Sequence, residues 1–106
     1  MADAESLIAG MRDRADALRG LGYRVRFDLS DTEESIMLDA TGSGAPSIAV
    51  AGADDAADSV LRLTAANAEK LMQGKLSPML AFSTGRLRVE GSKGVAMKLA
   101  SLLDED

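Results

Sequence analysis

The segment from residue 23 to residue 29 alternates apolar and charged side chains, and this pattern constrains the fold most. The apolar positions are Tyr23, Val25, Phe27 and Leu29, and the charged positions are Arg24, Arg26 and Asp28. Successive side chains of a strand point to opposite faces, so the pattern predicts a half-buried strand. Because one face is apolar and the other is charged, the sheet must be covered by helices on one side only.

The rest of the chain supplies the helices and strands that this arrangement needs. Further strands are expected at residues 36–40, 47–51, 59–63 and 86–90, where apolar residues alternate with polar or small ones between turns. Helices are expected at residues 3–19, 65–73, 77–83 and 92–103, from apolar stripes and from capping residues such as Thr64 and Ser77. The predicted fold class is α+β, with a five-stranded, mostly antiparallel sheet.

Composition excludes several classes of function. The 106 residues contain no Cys and no His, which excludes a disulfide scaffold, a Cys/His zinc site and a His general base. One domain over residues 1–106 is expected, without a cofactor. The N-terminus lacks the pattern of a signal peptide, and no run approaches the ~18 apolar residues of a membrane span, so a cytoplasmic protein is expected.

The net charge of −5 disfavours nucleic acid as a partner, but the charge is unevenly spread. Residues 61–103 contain seven Lys or Arg residues and only two Asp or Glu residues, and three acidic residues end the chain. The second half of the chain is therefore locally cationic.

Residues 57–102 carry a series of short motifs in a fixed order. They read GK at 74–75, SP at 77–78, AF at 81–82, GRLRV at 85–89 and GSKGVAMKL at 91–99. With its spacing unbroken over 46 residues, this series resembles the sterol carrier protein 2 (SCP-2) family. Residues 22–51 fit the first hairpin of that family more loosely. One departure is that Ala68 and Glu69 stand where family members often carry bulky apolar residues.

The resemblance implies a sheet with strand order 3-2-1-4-5 and helices over one face. It also implies an apolar tunnel between the helices and the sheet that holds a fatty acid, an acyl-CoA, a sterol or another isoprenoid. Members of the family are carriers or binding modules, not catalysts. The residues expected to line the tunnel are Leu71, Met72, Met79, Leu80, Phe82, Leu87, Val89, Val95 and Leu99.

The residue types alone leave two interpretations of this apolar set open. Met72, Met79 and Met97 either fill gaps in an ordinary core or adapt to a bound lipid, since methionine suits both. The short helix 77–83 either docks onto the protein or forms a lid that opens for loading and release. An alternative function is therefore a non-catalytic scaffold or accessory module of a lipid-synthesis complex, with the tunnel filled.

Charged and hydroxyl residues suggest further sites. Five arginines are expected on the outer sheet face, which is either solvated beside compensating acids or a basic patch for transient contact with a membrane or an acidic partner. They are Arg24, Arg26, Arg62, Arg86 and Arg88. Lys75, Lys93 and Lys98 are either ordinary solvated lysines or ligands of an anionic head group at the tunnel mouth.

No catalytic or metal site is predicted. Ser83 and Thr84 are adjacent hydroxyls without a general base. Asp54, Asp55 and Asp58 lack the alternating ligand spacing and the glycine of a calcium loop.

Overall fold

The computed structural model describes residues 4–42, 44, 46–52 and 55–104. Predictions that involve Asp3, Ser43, Asp54 or residues 105–106 lie outside the described residues. The elements in chain order are α1 (Ala4–Asp13), α2 (Ala15–Leu18), β1 (Arg24–Leu29), β2 (Ser35–Asp39), β3 (Ser47–Ala51), β4 (Ser59–Leu63), α3 (Ala65–Met72), α4 (Pro78–Ser83), β5 (Arg88–Gly91) and α5 (Lys93–Asp104).

The five strands form one sheet in the order β3-β2-β1-β4-β5. β1 pairs antiparallel with β2 and parallel with β4, while β3 and β5 each pair antiparallel with their neighbours. The predicted α+β class, the mostly antiparallel sheet and the strand order are confirmed. Phe27 on the central strand lies in register with Ile36 on one side and Leu61 on the other.

The helices cover the inner face of the sheet, where the core lies. Phe27, Ile36 and Leu61 are buried there together with residues from the helices, such as Leu7 and Leu99. α1 packs against α3 and β3, and α5 packs against β4, β5 and α2. The alternation of β1 therefore places its apolar side chains under the helices, as the pattern predicts.

The outer face of the sheet is crossed by the connection between β3 and β4. These two strands run in the same direction with β2 and β1 between them, so the chain has to return across the sheet. The backbone carbonyl of Asp55 in this connection accepts a hydrogen bond of 2.7 Å from Nη1 of Arg26. Arg26 is only 9% exposed as a result, although it faces away from the helical layer.

The first predicted helix is two helices, so the prediction of one continuous helix is wrong. The N–H of Arg14 donates to the carbonyl of Met11, three residues back rather than four, and this tighter turn ends α1. Nη2 of Arg14 donates to the carbonyl of Leu103 at the end of α5, at 2.9 Å. The break lets α2 pack against α5 and bury Leu18.

The last strand begins later than predicted, at Arg88 rather than at residue 86. The N–H groups of Arg86 and Leu87 both donate to the carbonyl of Ala81, at 2.9 and 3.1 Å. These bonds close the C-terminal end of α4 instead of extending the sheet. Arg86 therefore does not belong to the outer sheet face, and the prediction that placed it there is wrong.

Candidate functional site

Helix α4 is short and leaves most of its large side chains in solvent. Oγ of Ser77 accepts a hydrogen bond from the N–H of Leu80, and Pro78 occupies the first turn, so the predicted start of this helix is confirmed. Pro78 and Ala81 are buried, whereas Met79, Leu80 and Phe82 are exposed. The helix rests on the protein through its small residues.

The hydroxyls at the C-terminal end of α4 are engaged with its backbone. Oγ of Ser83 donates to the carbonyl of Met79 at 3.0 Å, and Oγ1 of Thr84 donates to the carbonyl of Leu80 at 2.9 Å. These bonds add to the backbone hydrogen bonds of the last turn, where the N–H of Thr84 also donates to the carbonyl of Leu80 at 3.0 Å. The two hydroxyls therefore have a structural role in this helix.

An apolar groove of about 120 Å³ lies between α4, β5 and α5. The residues that line it are Pro78, Met79, Phe82, Leu87, Val89, Lys93, Ala96, Met97 and Ala100. The exposed side chains of Met79, Phe82 and Met97 form its rim. Lys93 is the single charged residue of the lining among the described residues.

A small void of about 20 Å³ lies beneath the groove, between α5 and the sheet. Its lining consists of Phe27, Leu61, Leu71, Pro78, Leu87, Ala96, Leu99, Ala100 and Leu103. A void of this volume has room for about one water molecule, and an apolar one stays dry. Pro78, Leu87, Ala96 and Ala100 line both spaces and form the partition between them. Within the described residues, the space between the helices and the sheet is therefore a groove and a small void rather than a continuous tunnel.

The residues predicted to line the tunnel fall into three groups. Met79, Phe82, Leu87 and Val89 line the groove, and Leu71, Leu87 and Leu99 line the void. Met72, Leu80 and Val95 line neither space. Met72 is 1% exposed in the core, Leu80 points into solvent, and Val95 is buried beside a separate surface depression that also includes Tyr23.

Sequence reasoning did not include Pro78, Ala96 and Ala100 in the predicted lining. The signal that could have found the two alanines is their spacing of four residues on α5, which opens a furrow along one side of that helix. Alanine at a partly buried position is easily taken for tight packing against a neighbour. Here the space beside the two small side chains is part of the groove.

The arginines of the outer sheet face are mostly paired with carboxylates. Asp28 accepts a hydrogen bond of 2.8 Å from Nε of Arg26, and one of 2.8 Å from Oγ of Ser35. Nε of Arg62 lies 3.7 Å from Asp28, and its Nη2 lies 3.2 Å from Glu90. Nε of Arg24 lies 3.6 Å from Asp39. This arrangement is that of a face with compensating acids.

The pKa of Asp28 is set by opposing effects of this environment. Partial burial raises the pKa of the carboxyl, but the hydrogen bonds from Arg26 and Ser35 and the charges of Arg26 and Arg62 lower it. The net pKa lies below the ordinary value for Asp. Asp28 therefore remains ionised at neutral pH and holds the arginines in place.

The three lysines predicted near a tunnel mouth differ in position. Lys93 lies in the groove. Nζ of Lys98 lies 5.4 Å from the centre of the Tyr23 ring, on another side of α5. Lys75 follows α3 and lines neither the groove nor the void.

Metal sites and membrane spans are both absent from the part of the chain that the structure describes. No group of three or more carboxylates there is placed to hold a metal ion. No helix of that part is long and apolar enough to cross a membrane.

The sequence pattern of the SCP-2 sterol transfer family matches residues 4–104. The chain belongs to this family. Hydroxysteroid dehydrogenase-like protein 2 of Homo sapiens is 37% identical over 51 residues, which are 48% of this chain and 12% of that relative. The match thus spans about an eighth of the length of the relative.

Solved structures of this family have the same fold. Sterol carrier protein 2 from Yarrowia lipolytica in its apo form superposes with a TM-score of 0.67 and 22% identity, covering 94% of this chain and 85% of that one. The complex of sterol carrier protein 2 from Aedes aegypti with palmitate superposes with a TM-score of 0.71 and 14% identity, covering 94% and 93%. This SCP-2 domain therefore has the fold of both, although its sequence has diverged far from theirs.

Proposed function

We propose that this SCP-2 domain binds a single-chain lipid, such as a fatty acid or its acyl-CoA, in the groove between α4, β5 and α5. The observation that carries the proposal is the apolar lining of this 120 Å³ space, together with the rim of exposed methionines and Phe82. Flexible, polarizable methionine side chains adapt to ligands of irregular shape. The palmitate complex of the Aedes aegypti relative supports a lipid as the ligand.

Binding requires the groove to enlarge. Pockets for small ligands usually measure about 300–1,000 Å³, which is several times the volume of this groove. α4 is the element suited to move, because it has only six residues and a helix of that length is not stable by itself. Displacing Pro78, which belongs to the partition, joins the groove to the void beneath it.

The driving force is burial of the lipid chain. Each CH₂ group removed from water contributes about 0.8 kcal/mol. Burial of a 16-carbon chain contributes a free energy of ~12 kcal/mol, from which the costs of immobilisation and of moving α4 are subtracted. The proposed role is binding rather than catalysis, because the chain has no His or Cys and the Ser83 and Thr84 hydroxyls donate to backbone carbonyls.

The same rim is proposed to contact a membrane transiently during loading. Met79, Phe82 and Met97 expose apolar surface at the rim, as does Leu80 on the solvent side of α4, and Arg86 and Lys93 lie on or beside the elements that form the groove. Apolar insertion combined with cationic residues favours an anionic bilayer surface. The outer sheet face contributes less than expected, because Arg24, Arg26 and Arg62 are paired there with acids.

A second candidate function is that of an accessory module that holds a lipid for a partner enzyme or serves as a scaffold. The observation that favours it is the small size of the void, because a nearly filled interior also suits a scaffold. The match covers only 12% of hydroxysteroid dehydrogenase-like protein 2, which is consistent with such a module. Co-purification with a partner, and lipid turnover only in its presence, would identify this role.

Lipid binding is tested by a substitution that places a large side chain of the protein itself in the groove. In Ala96→Phe the new ring enters the groove and its partition, whereas in the matched control Ser101→Phe it lies on the exposed side of the same helix. We expect a fluorescent fatty acid to bind the unchanged protein and Ser101→Phe equally, and to bind Ala96→Phe at least about tenfold more weakly. Lack of binding by the unchanged protein would refute the proposal, and full binding by Ala96→Phe would place the ligand elsewhere.

A further inference from the structure

One stripe of α5 runs from the mouth of the groove to the void beneath it. Lys93, Ala96, Ala100 and Leu103 follow one another at intervals of three, four and three residues, so they lie on one side of the helix. Lys93 is exposed at the groove, the two alanines line both spaces, and Leu103 is buried at the void. The stripe spans about 15 Å, at the rise of 1.5 Å per residue of an α-helix.

The polar end of this stripe carries a positive charge that no carboxylate of the described residues pairs with. Lys93 forms none of the ion pairs found among the described residues. Oγ of Ser92 accepts from the N–H of Val95, which leaves the N–H groups of Lys93 and Gly94 without an intrahelical acceptor. Glu90 is the carboxylate closest in sequence, and it pairs with Arg62 on the opposite face of the sheet.

From this juxtaposition we infer that Lys93 anchors the anionic head group of a long-chain carboxylate whose tail follows Ala96 and Ala100 toward Leu103. The inference rests on the proposed lipid binding and specifies which lipids the groove prefers. The ammonium group and the free N–H groups at the start of α5 meet the carboxylate, and the apolar lining meets the chain.

A neutral lipid of the same length makes the contacts between the apolar lining and the chain, but not the contacts of a carboxylate with Lys93 and the free N–H groups. The groove therefore discriminates by charge at its mouth and not by chain chemistry along its floor. Because Lys93 is exposed, the electrostatic part of the affinity is modest and weakens with salt. Lys98, five residues later on the same helix, contacts Tyr23 instead and has no part in this preference.

The test uses cis-parinaric acid and its methyl ester, which share one fluorescent chain and differ in the charge of the head group. The variant Lys93→Gln removes the charge and keeps most of the side chain, and Lys98→Gln is the matched control. We expect the unchanged protein and Lys98→Gln to bind the acid about fivefold more tightly than the ester at low salt. Lys93→Gln should lose most of this preference and keep only the part due to the free N–H groups at the start of α5, with unchanged affinity for the ester.

The outcomes separate the two proposals. If Lys93→Gln keeps the full preference for the acid, or if the unchanged protein has no preference, the anchoring role of Lys93 is refuted while lipid binding stands. If the unchanged protein binds neither probe, lipid binding itself is refuted, and the inference with it. Loss of the preference in Lys98→Gln as well would show that the general charge of α5 is responsible rather than Lys93.

Discussion

Replacing Asp28 by asparagine tests whether the paired charges of the outer sheet face stabilise the fold. The carboxylate of Asp28 binds Arg26 through two hydrogen bonds, of 2.8 and 3.2 Å, and also accepts from Ser35. The asparagine side chain in the variant Asp28→Asn would retain the shape but not the charge. The single amide oxygen could accept in place of only one of the two carboxylate oxygens, while the carbonyl of Asp55 would continue to accept from Nη1 of Arg26.

The expected loss of stability follows from how far the pair is buried. Removing one partner of a fully buried ion pair costs about 3–5 kcal/mol, and an exposed pair contributes only about 0.2–1 kcal/mol. The side chains of Arg26 and Asp28 are 11% and 17% exposed, which is closer to the buried case. We expect Asp28→Asn to lose about 2–3 kcal/mol, which lowers the Tm of a domain of this size by roughly 10–20 °C.

The pH dependence gives the prediction a second readout. Because the pKa of Asp28 is lower in the folded protein than in the unfolded chain, its contribution is fully present above the unfolded pKa of about 3.9. The contribution is lost as the pH falls through the lowered pKa of the folded state. The stabilities of the unchanged protein and of Asp28→Asn should therefore differ most near pH 7 and converge in strong acid.

Urea denaturation followed by circular dichroism, at a series of pH values, measures both effects. The matched control is Asp16→Asn, whose carboxylate lies 3.6 Å from Arg19 but whose side chain is 99% exposed. This control should unfold at the same urea concentration as the unchanged protein. A loss in Asp28→Asn no larger than in Asp16→Asn, or one that does not depend on pH, would refute the reasoning.

Three further substitutions have predictable effects on stability. Met72→Ala should lower the free energy of unfolding by about 2–5 kcal/mol in urea denaturation, because Met72 is 1% exposed. Its control is Met79→Ala, because Met79 is 55% exposed. This control should change the free energy of unfolding by less than about 0.5 kcal/mol and weaken fatty-acid binding instead. Gly91→Ala should lower the Tm sharply, since Gly91 has a φ of 79° and a new Cβ would lie 2.8 Å from the carbonyl oxygen of Asp58. Thr64→Ala removes the N-cap of α3 and should cost about 1 kcal/mol, with no effect on the affinity for lipid; equal losses of affinity in all three variants would indicate general unfolding instead.

The strands and most helix ends were predictable because they depend on local signals. The alternation around Phe27 and the capping residue Ser77 act within a few residues, and the structure has a strand and a helix start there. The strand order came from the family resemblance, since the residues alone did not specify which strands are neighbours. The break at Arg14 coincides with a hydrogen bond from its side chain to the carbonyl of Leu103, 89 residues away, and no local pattern contains such a contact.

The candidate site was less predictable than the fold, because core and ligand-binding surfaces use the same side chains. Met72 and Met79 could not be told apart by residue type, yet the first lies in the core and the second at the groove. The burial of Arg26 could not be predicted from the sequence either. The strand pattern puts it on the solvent side, and the chain then returns across that side at Asp55.

The parallel pairing of β1 with β4 has a consequence for the order of folding. Arg24 and Asp58, which are bonded at the start of this pair, are 34 residues apart in sequence, whereas β1, β2 and β3 are joined by short connections. Closing the longer loop costs more chain entropy, so the three-stranded meander is expected to form first and the docking of β4 to follow. The walls of the groove come from α4, β5 and α5, which all follow β4. The ligand-binding part is thus the last to assemble, and hydrogen exchange should find its amides opening before those of the meander.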